Sequence, residues 1–159
     1  VTRAWICCKL EFNNRHRDVW GDSYTELFLL DEVTAFAGGH RPCFECRRKD
    51  AERFATLFSG KKRRATAAAM DKVLHDERLN GHAKRTRLRK LDTLPDGAMI
   101  VIADDTFAVR GEFLLHWTPA AYAERRVRPG GSTVEVLSPP SIVTVLSRGY
   151  RPLWHPSAS

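Results

Sequence analysis

Ala37-Gly38-Gly39-His40-Arg41-Pro42-Cys43-Phe44-Glu45-Cys46-Arg47-Arg48 is the stretch on which the reading of the chain turns. Paired glycines after an alanine-rich segment stop a helix, because glycine adopts the left-handed backbone that a helix C-terminus needs. Pro42 stiffens the entry to the next turn. Cys43 and Cys46 form a C-x-x-C, and a tight turn at this spacing aims both sulfurs at one point, where they can grip a tetrahedral metal ion. Upstream, Asp31 is placed to N-cap a short helix over 32–37, and an apolar run predicts a strand over 24–30. Downstream, a helix is predicted over 47–58, with Phe54, Leu57 and Phe58 on one face.

Two further cysteines, Cys7 and Cys8, are adjacent. Residues 4–12 alternate, Ile6, Cys8, Leu10 and Phe12 against Trp5, Cys7, Lys9 and Glu11, and so predict a strand. Neighbours on a strand point to opposite faces. Cys8 then shares the apolar face and Cys7 the polar one, and both reach one ion only if the strand kinks. Cys8 is the choice if a single one serves, with a histidine completing the site, His155 ahead of His16. The rival for C-x-x-C, a dithiol redox pair, wants a thioredoxin-like βαβ setting. The two upstream cysteines favour metal, and zinc is the expected ion.

Residues 31–42 align without gaps on 141–152, with identities Val33/Val143, Thr34/Thr144, Gly39/Gly149, Arg41/Arg151 and Pro42/Pro152. The simpler account is convergence on a capped helix ended by Gly and Pro. The alignment sets His40 against Tyr150, which reads His40 as a packed ring. Elsewhere, Asn13-Asn14 signals a turn, 59–64 a basic linker, and Thr66 caps a helix over 67–79 that Asn80-Gly81 stops. Segment 82–90 has little apolar content and reads as a solvated or phosphate-tracking stretch. The remainder is β-rich: strands over 99–103 and 106–110 flank Asp104-Asp105, others are predicted over 112–117 and 133–137, and Ser141 caps a helix to Ser147.

The chain has 159 residues, 43% hydrophobic, enough to bury a core. No run of about eighteen apolar residues is present, so no membrane partner is expected. The opening Val1 to Trp5 lacks the order of a secretory leader and reads straight into a strand, as if the natural chain began upstream. Twenty-six Lys and Arg against 19 acids give a net charge of +7, a field that draws polyanions. The excess gathers at Arg15 to Arg17, Arg47 to Lys49, Lys61 to Arg64 and Lys84 to Lys90. Four cysteines in such a chain suggest a reducing compartment, and the cytoplasm is the expected location. Trp20, Tyr24, Trp117, Tyr122, Tyr150 and Trp154 are candidates for base stacking, although such rings more often fill cores.

Phe28, Glu32 and the run from Ala37 to Arg47 resemble the second half of the Ada-type zinc domain of DNA-repair methyl-transfer proteins. The resemblance covers residues 24–48. It implies a strand, a short helix, Gly-aromatic-Arg-Pro and a C-x-x-C, with Cys43 and Cys46 as the second pair of a four-cysteine zinc site. In that domain one upstream cysteine takes a methyl group from a DNA phosphotriester. Cys7 and Cys8 stand where the first pair would, adjacent rather than separated by three residues. The stretch from Trp5 is also similar to an uncharacterised family of small bacterial proteins.

These readings converge on an α+β protein: a zinc-knuckle module with a basic helical extension over 1–90, then a β-rich unit with a C-terminal helix over 91–159, or one continuous core. The expected ligands of Zn2+ are Cys7, Cys8, Cys43 and Cys46. The expected function is zinc-dependent nucleic-acid binding, DNA ahead of RNA, in repair or the handling of modified DNA. The expected contacts are Arg47, Arg48, Lys61, Lys62, Arg63, Arg64, Lys84, Arg85, Arg87, Arg89 and Lys90. The alternatives are an enzyme acting on nucleic acid, as cysteine alkyl acceptor or nuclease, and a basic protein–protein adaptor.

Overall fold

The computed structural model describes residues 3–10, 12–14 and 27–159. Expectations for Arg15, His16, Arg17, Trp20, Tyr24 and the start of the 24–30 strand lie outside those residues. In chain order the elements are β1 (Ile6–Cys7), α1 (Glu32–Ala37), β2 (Arg41–Pro42), α2 (Arg48–Ser59), α3 (Ala67–Arg78), β3 (Leu79–Asn80), β4 (Ala83–Lys84), β5 (Arg87–Lys90), β6 (Met99–Ile102), β7 (Asp105–Arg110), β8 (Phe113–Trp117), β9 (Tyr122–Val127), β10 (Thr133–Val136) and α4 (Pro140–Ser147). The fold class is α+β. Helix starts follow the capping residues: the Asp31 carboxylate accepts from the Thr34 amide, and the Thr66 hydroxyl from the Ala69 amide, which satisfies amides that a helix N-terminus leaves without partners.

Strands β6 to β9 form an antiparallel meander, and β10 returns to lie between β6 and β5, giving the order β5-β10-β6-β7-β8-β9. The β6–β7 hairpin turns through Ala103 and Asp104, both left-handed at φ 50° and 69°, the pair that matches a two-residue turn to strand twist. Both sheet faces are buried. Ile100, Phe107, Val109, Leu114, Val134 and Val136 meet Leu91, Leu94 and Val143 in one core. Met99, Ala108 and Leu115, one residue out of phase, meet Val33 and Ala37 of α1 with Tyr122 and Ala158 in another. A third cluster is helical: Phe36, Phe54, Met70, Leu74, Ile142, Val145 and Leu146, with Tyr150. Helix α1 therefore serves two cores, Val33 and Ala37 toward the sheet and Phe36 toward the helices. Residues from both sides of position 91 meet in the last two clusters.

The structure departs from the sequence reading in five places, the first being the described end of the 24–30 strand, residues 27–30, which form no strand. In the described part of 4–12 the only strand is β1, which lies parallel to β2, with Phe12 in an isolated bridge. Segment 82–90, expected without regular structure, is largely paired: β3 and β4 form a hairpin, and β5 pairs along its whole length with β10. Three of its cations meet helix C-termini, where carbonyls lack amide partners. Lys84 donates to the Ala37 carbonyl at the end of α1, and Arg85 and Arg87 to the Asp76 and Glu77 carbonyls at the end of α3. Strand β9 has no counterpart in the sequence reading. Helix α4 begins at Pro140 behind an extended Pro139, while the Ser141 amide and hydroxyl both donate to the Glu77 carboxylate, so Ser141 ties α4 to α3 instead of capping it.

Candidate metal centre

The pairing of β1 with β2 brings the upstream cysteines to the C-x-x-C. The Arg41 amide donates to the Trp5 carbonyl and the Cys43 amide to the Cys7 carbonyl, each at 3.1 Å. The ladder stops at Cys7, and Cys8 turns toward the knuckle. The sulfurs of Cys8, Cys43 and Cys46 all lie within 4.8 Å of one another. A tetrahedral zinc with Zn–S near 2.3 Å spaces its sulfurs by about 3.8 Å, so the donor set fits zinc after small side-chain shifts. Amides support the sulfurs, Glu45 donating to Cys43 Sγ and Lys9 to Cys46 Sγ, each at 3.3 Å. Such donations favour thiolates over thiols.

The three thiols are not equivalent. Burial opposes ionisation of Cys43, but the amides of Cys46 and Glu45 outweigh it and hold this thiol below the ordinary cysteine range. Burial, and then the charges of Cys43 and Cys46, push Cys8 up to about 12. A metal ion bound here would find the Cys43 thiolate more readily formed than that of Cys8, whose proton it would have to displace.

Cys7, expected with the other three, is turned away from them, as a neighbour in extended chain must be. Its sulfur receives Arg47 Nη1 at 3.6 Å. Burial and the Glu32 carboxylate push its thiol up, with Arg47 opposing. Arg47 itself is buried at 6% exposure, paired to Glu32 at 2.7 Å and Asp50 at 2.9 Å. Glu32, also buried, accepts from the Tyr150 hydroxyl and the Leu153 amide. This Cys7–Arg47–Glu32–Tyr150 network escaped the sequence reading. The available signal was an acid in the first turn of a short helix and an arginine beside the knuckle, but nothing in either sequence position names its partner.

His40 is a packed ring, its Nδ1 at 3.0 Å from the Ala35 carbonyl and its centroid 5.2 Å from that of Trp5, with the rings tilted. The His155 ring engages Ser157, and neither histidine joins the sulfur cluster. Tyr122 and Tyr150 are core residues, and Trp117 and Trp154 pack against the same cores. Among the cations expected to meet nucleic acid, Arg47, Lys84, Arg85 and Arg87 have the internal partners named above. Arg48 and Arg64 flank Glu52 at 3.9 and 3.0 Å. Lys61, Lys62, Arg63, Arg89 and Lys90 are exposed.

No family model, curated protein or solved structure matches the chain. Among the described residues no helix is long and apolar enough to cross a membrane.

Proposed function

We propose that Cys8, Cys43 and Cys46 hold one zinc ion, and that the domain so fixed binds nucleic acid, DNA ahead of RNA. The observation that carries the metal reading is the convergence of three sulfurs from two segments far apart in sequence. The zinc would tie β1 to the start of α2, adding to a two-residue strand pair and the Arg47 contact with Cys7. Structural zinc contributes on the order of 10–16 kcal/mol in small four-ligand modules, and three sulfurs would supply part of such stabilisation. Thiolate ligands persist in a reducing compartment, and we place the protein in the cytoplasm on that ground. The nucleic-acid reading is supported by the net charge of +7, by the exposed cations that fold stability does not consume, and by the likeness of residues 24–48 to an Ada-type zinc domain.

The test is binding to labelled single-stranded and duplex DNA and RNA across a salt series. Log affinity should fall by roughly 0.7–0.9 per phosphate contact for each unit of log salt. Absence of binding at low salt would leave the adaptor reading in its place. One observation favours a second reading, an enzyme acting on nucleic acid. The cluster among the described residues has three protein sulfurs, and three protein ligands with one exchangeable position is the composition of catalytic zinc. Covalent mass gain on a cysteine after exposure to methylated DNA would identify that activity.

A further inference from the structure

A cavity of about 420 Å3 opens between α2 and the start of α3. Phe44, the first of the two residues inside the C-x-x-C, lines it together with Arg48, Glu52, Arg63, Arg64 and Thr66. Three guanidiniums therefore face one carboxylate. Glu52 holds Arg64 at 3.0 Å and sits 3.9 Å from Arg48, so one cation is neutralised and two are in excess. Arg48 is 70% exposed along its side chain, and Arg63 has no ion pair among the described residues. Guanidinium forks match phosphate oxygens in pairs, and an aromatic ring beside them offers a surface on which a base can stack.

The loop that supplies Arg63 and Arg64 is held at both ends. Arg148 donates to the Leu57 and Phe58 carbonyls at the end of α2, and its guanidinium lies against Gly60, where a Cβ would approach it to 2.6 Å. The Ala65 amide donates to the Ala55 carbonyl at 3.1 Å. Phe44 is held by the knuckle on one side, with the Arg41 guanidinium 5.5 Å from its ring centroid. A site whose parts are fixed beforehand loses less conformational entropy on binding.

We infer that this cavity seats one nucleotide of a single-stranded nucleic acid, its base against Phe44 and its flanking phosphates on Arg48 and Arg63. The inference rests on the nucleic-acid reading above and narrows it. The volume falls within the range of small-ligand sites. A base paired and stacked within a duplex has no free face to offer Phe44, so the cavity selects unpaired strands. Lys61 and Lys62 extend the basic path beyond it.

The test uses the full chain loaded with zinc and fluorescence anisotropy on one oligonucleotide, single-stranded and as its duplex. The single strand should bind at least about fivefold more tightly, the smaller end of one stacked base. Phe44→Leu should remove that preference with metal content unchanged, and Arg48→Glu with Arg63→Glu should weaken single-strand binding at least tenfold, with metal content and thermal midpoint unchanged. A control, Arg89→Glu with Lys90→Glu, acts on the far edge of the sheet. Loss of binding in the control alone would overturn the cavity assignment while leaving the nucleic-acid reading intact. Tighter binding of the duplex would also overturn it. Absence of binding to both forms at low salt would remove the nucleic-acid reading and the inference together.

Discussion

Residues 31–42 and 141–152 close their helices with the same geometry and then diverge. In the first, the Gly39 amide donates to the Phe36 carbonyl and the His40 amide to that of Ala35; in the second, Gly149 donates to Leu146 and Tyr150 to Val145. These are the paired bonds of a Schellman turn. Gly39 and Gly149 sit at φ 82° and 94°, and Arg-Pro comes after each. The units also clasp one another: the Glu32 amide donates to the Leu153 carbonyl, and the rings of Phe36 and Tyr150 lie 5.4 Å apart.

The two units differ in charge and in the residues beyond the proline. Glu32 stands where the second unit has Ile142, a fully buried core residue. Arg41 is buried against Asp71, with bonds of 2.7 and 2.9 Å, whereas Arg151 is exposed. After Pro42 come the cysteines; after Pro152 come Leu153 and Trp154, of which Trp154 packs on the sheet side. The turn supplies a backbone frame in both places. The buried charges of the first unit collect around the cysteine knuckle, so the polar cost is borne where a site is built and avoided where the chain only closes a core.

The largest break in this comparison should come from Glu32→Ala. It leaves the buried Arg47 cation without its main partner, a change on the order of 3–5 kcal/mol, measured by urea unfolding of the zinc-loaded protein. A loss below about 1 kcal/mol would mean that Asp50 suffices for Arg47. Arg41→Ala should cost about 3 kcal/mol by stranding Asp71, and Arg151→Ala should stay within about 0.5 kcal/mol. Equal losses would show that Arg-Pro acts through the turn itself. Gly39→Ala should cost more than Gly149→Ala. Both glycines are left-handed, a penalty of about 1–2 kcal/mol for alanine. Only at Gly39 would the new Cβ also meet Arg78, at 2.9 Å from Cδ and 3.2 Å from Cβ, whereas nothing lies within 4 Å at Gly149.

A further effect concerns pH and belongs to the cysteine unit alone. With the Cys8 thiol pushed up to about 12, zinc must displace its proton throughout the neutral range. Affinity should therefore rise about tenfold per pH unit for that one proton, read by chelator competition at two pH values either side of neutrality after correction for the chelator. A flat profile would remove Cys8 from the ligand set.

Local signals carried most of what the sequence revealed. Helix α1 behind Asp31, helix α3 behind Thr66 and the hairpin at Asp104 each depend on residues within one turn of the feature. The C-x-x-C is legible for the same reason, since both sulfurs belong to one turn. Strand β9 was not legible because cations replace its apolar residues: Arg125 lies 4.8 Å from the Phe113 ring centroid and Arg126 4.1 Å from that of Phe107. The strand pairing of segment 82–90 was not legible because Lys84, Arg85 and Arg87 meet helix carbonyls, and carbonyl partners leave no trace in composition. The separation of Cys8 from Cys7 accords with strand alternation, but the Glu32–Arg47 pair depends on how α1 meets α2, which no local pattern encodes.

The most direct measurement is zinc stoichiometry by elemental analysis and native mass spectrometry on the wild-type chain, Cys7→Ser and Cys8→Ser, purified under reducing conditions. One zinc per chain is expected in the wild type and in Cys7→Ser, with none retained stoichiometrically in Cys8→Ser. A wild-type chain without metal and with Cys43 and Cys46 cycling as a disulfide would contradict the assignment, as would equal loss of zinc from the Cys7 and Cys8 variants.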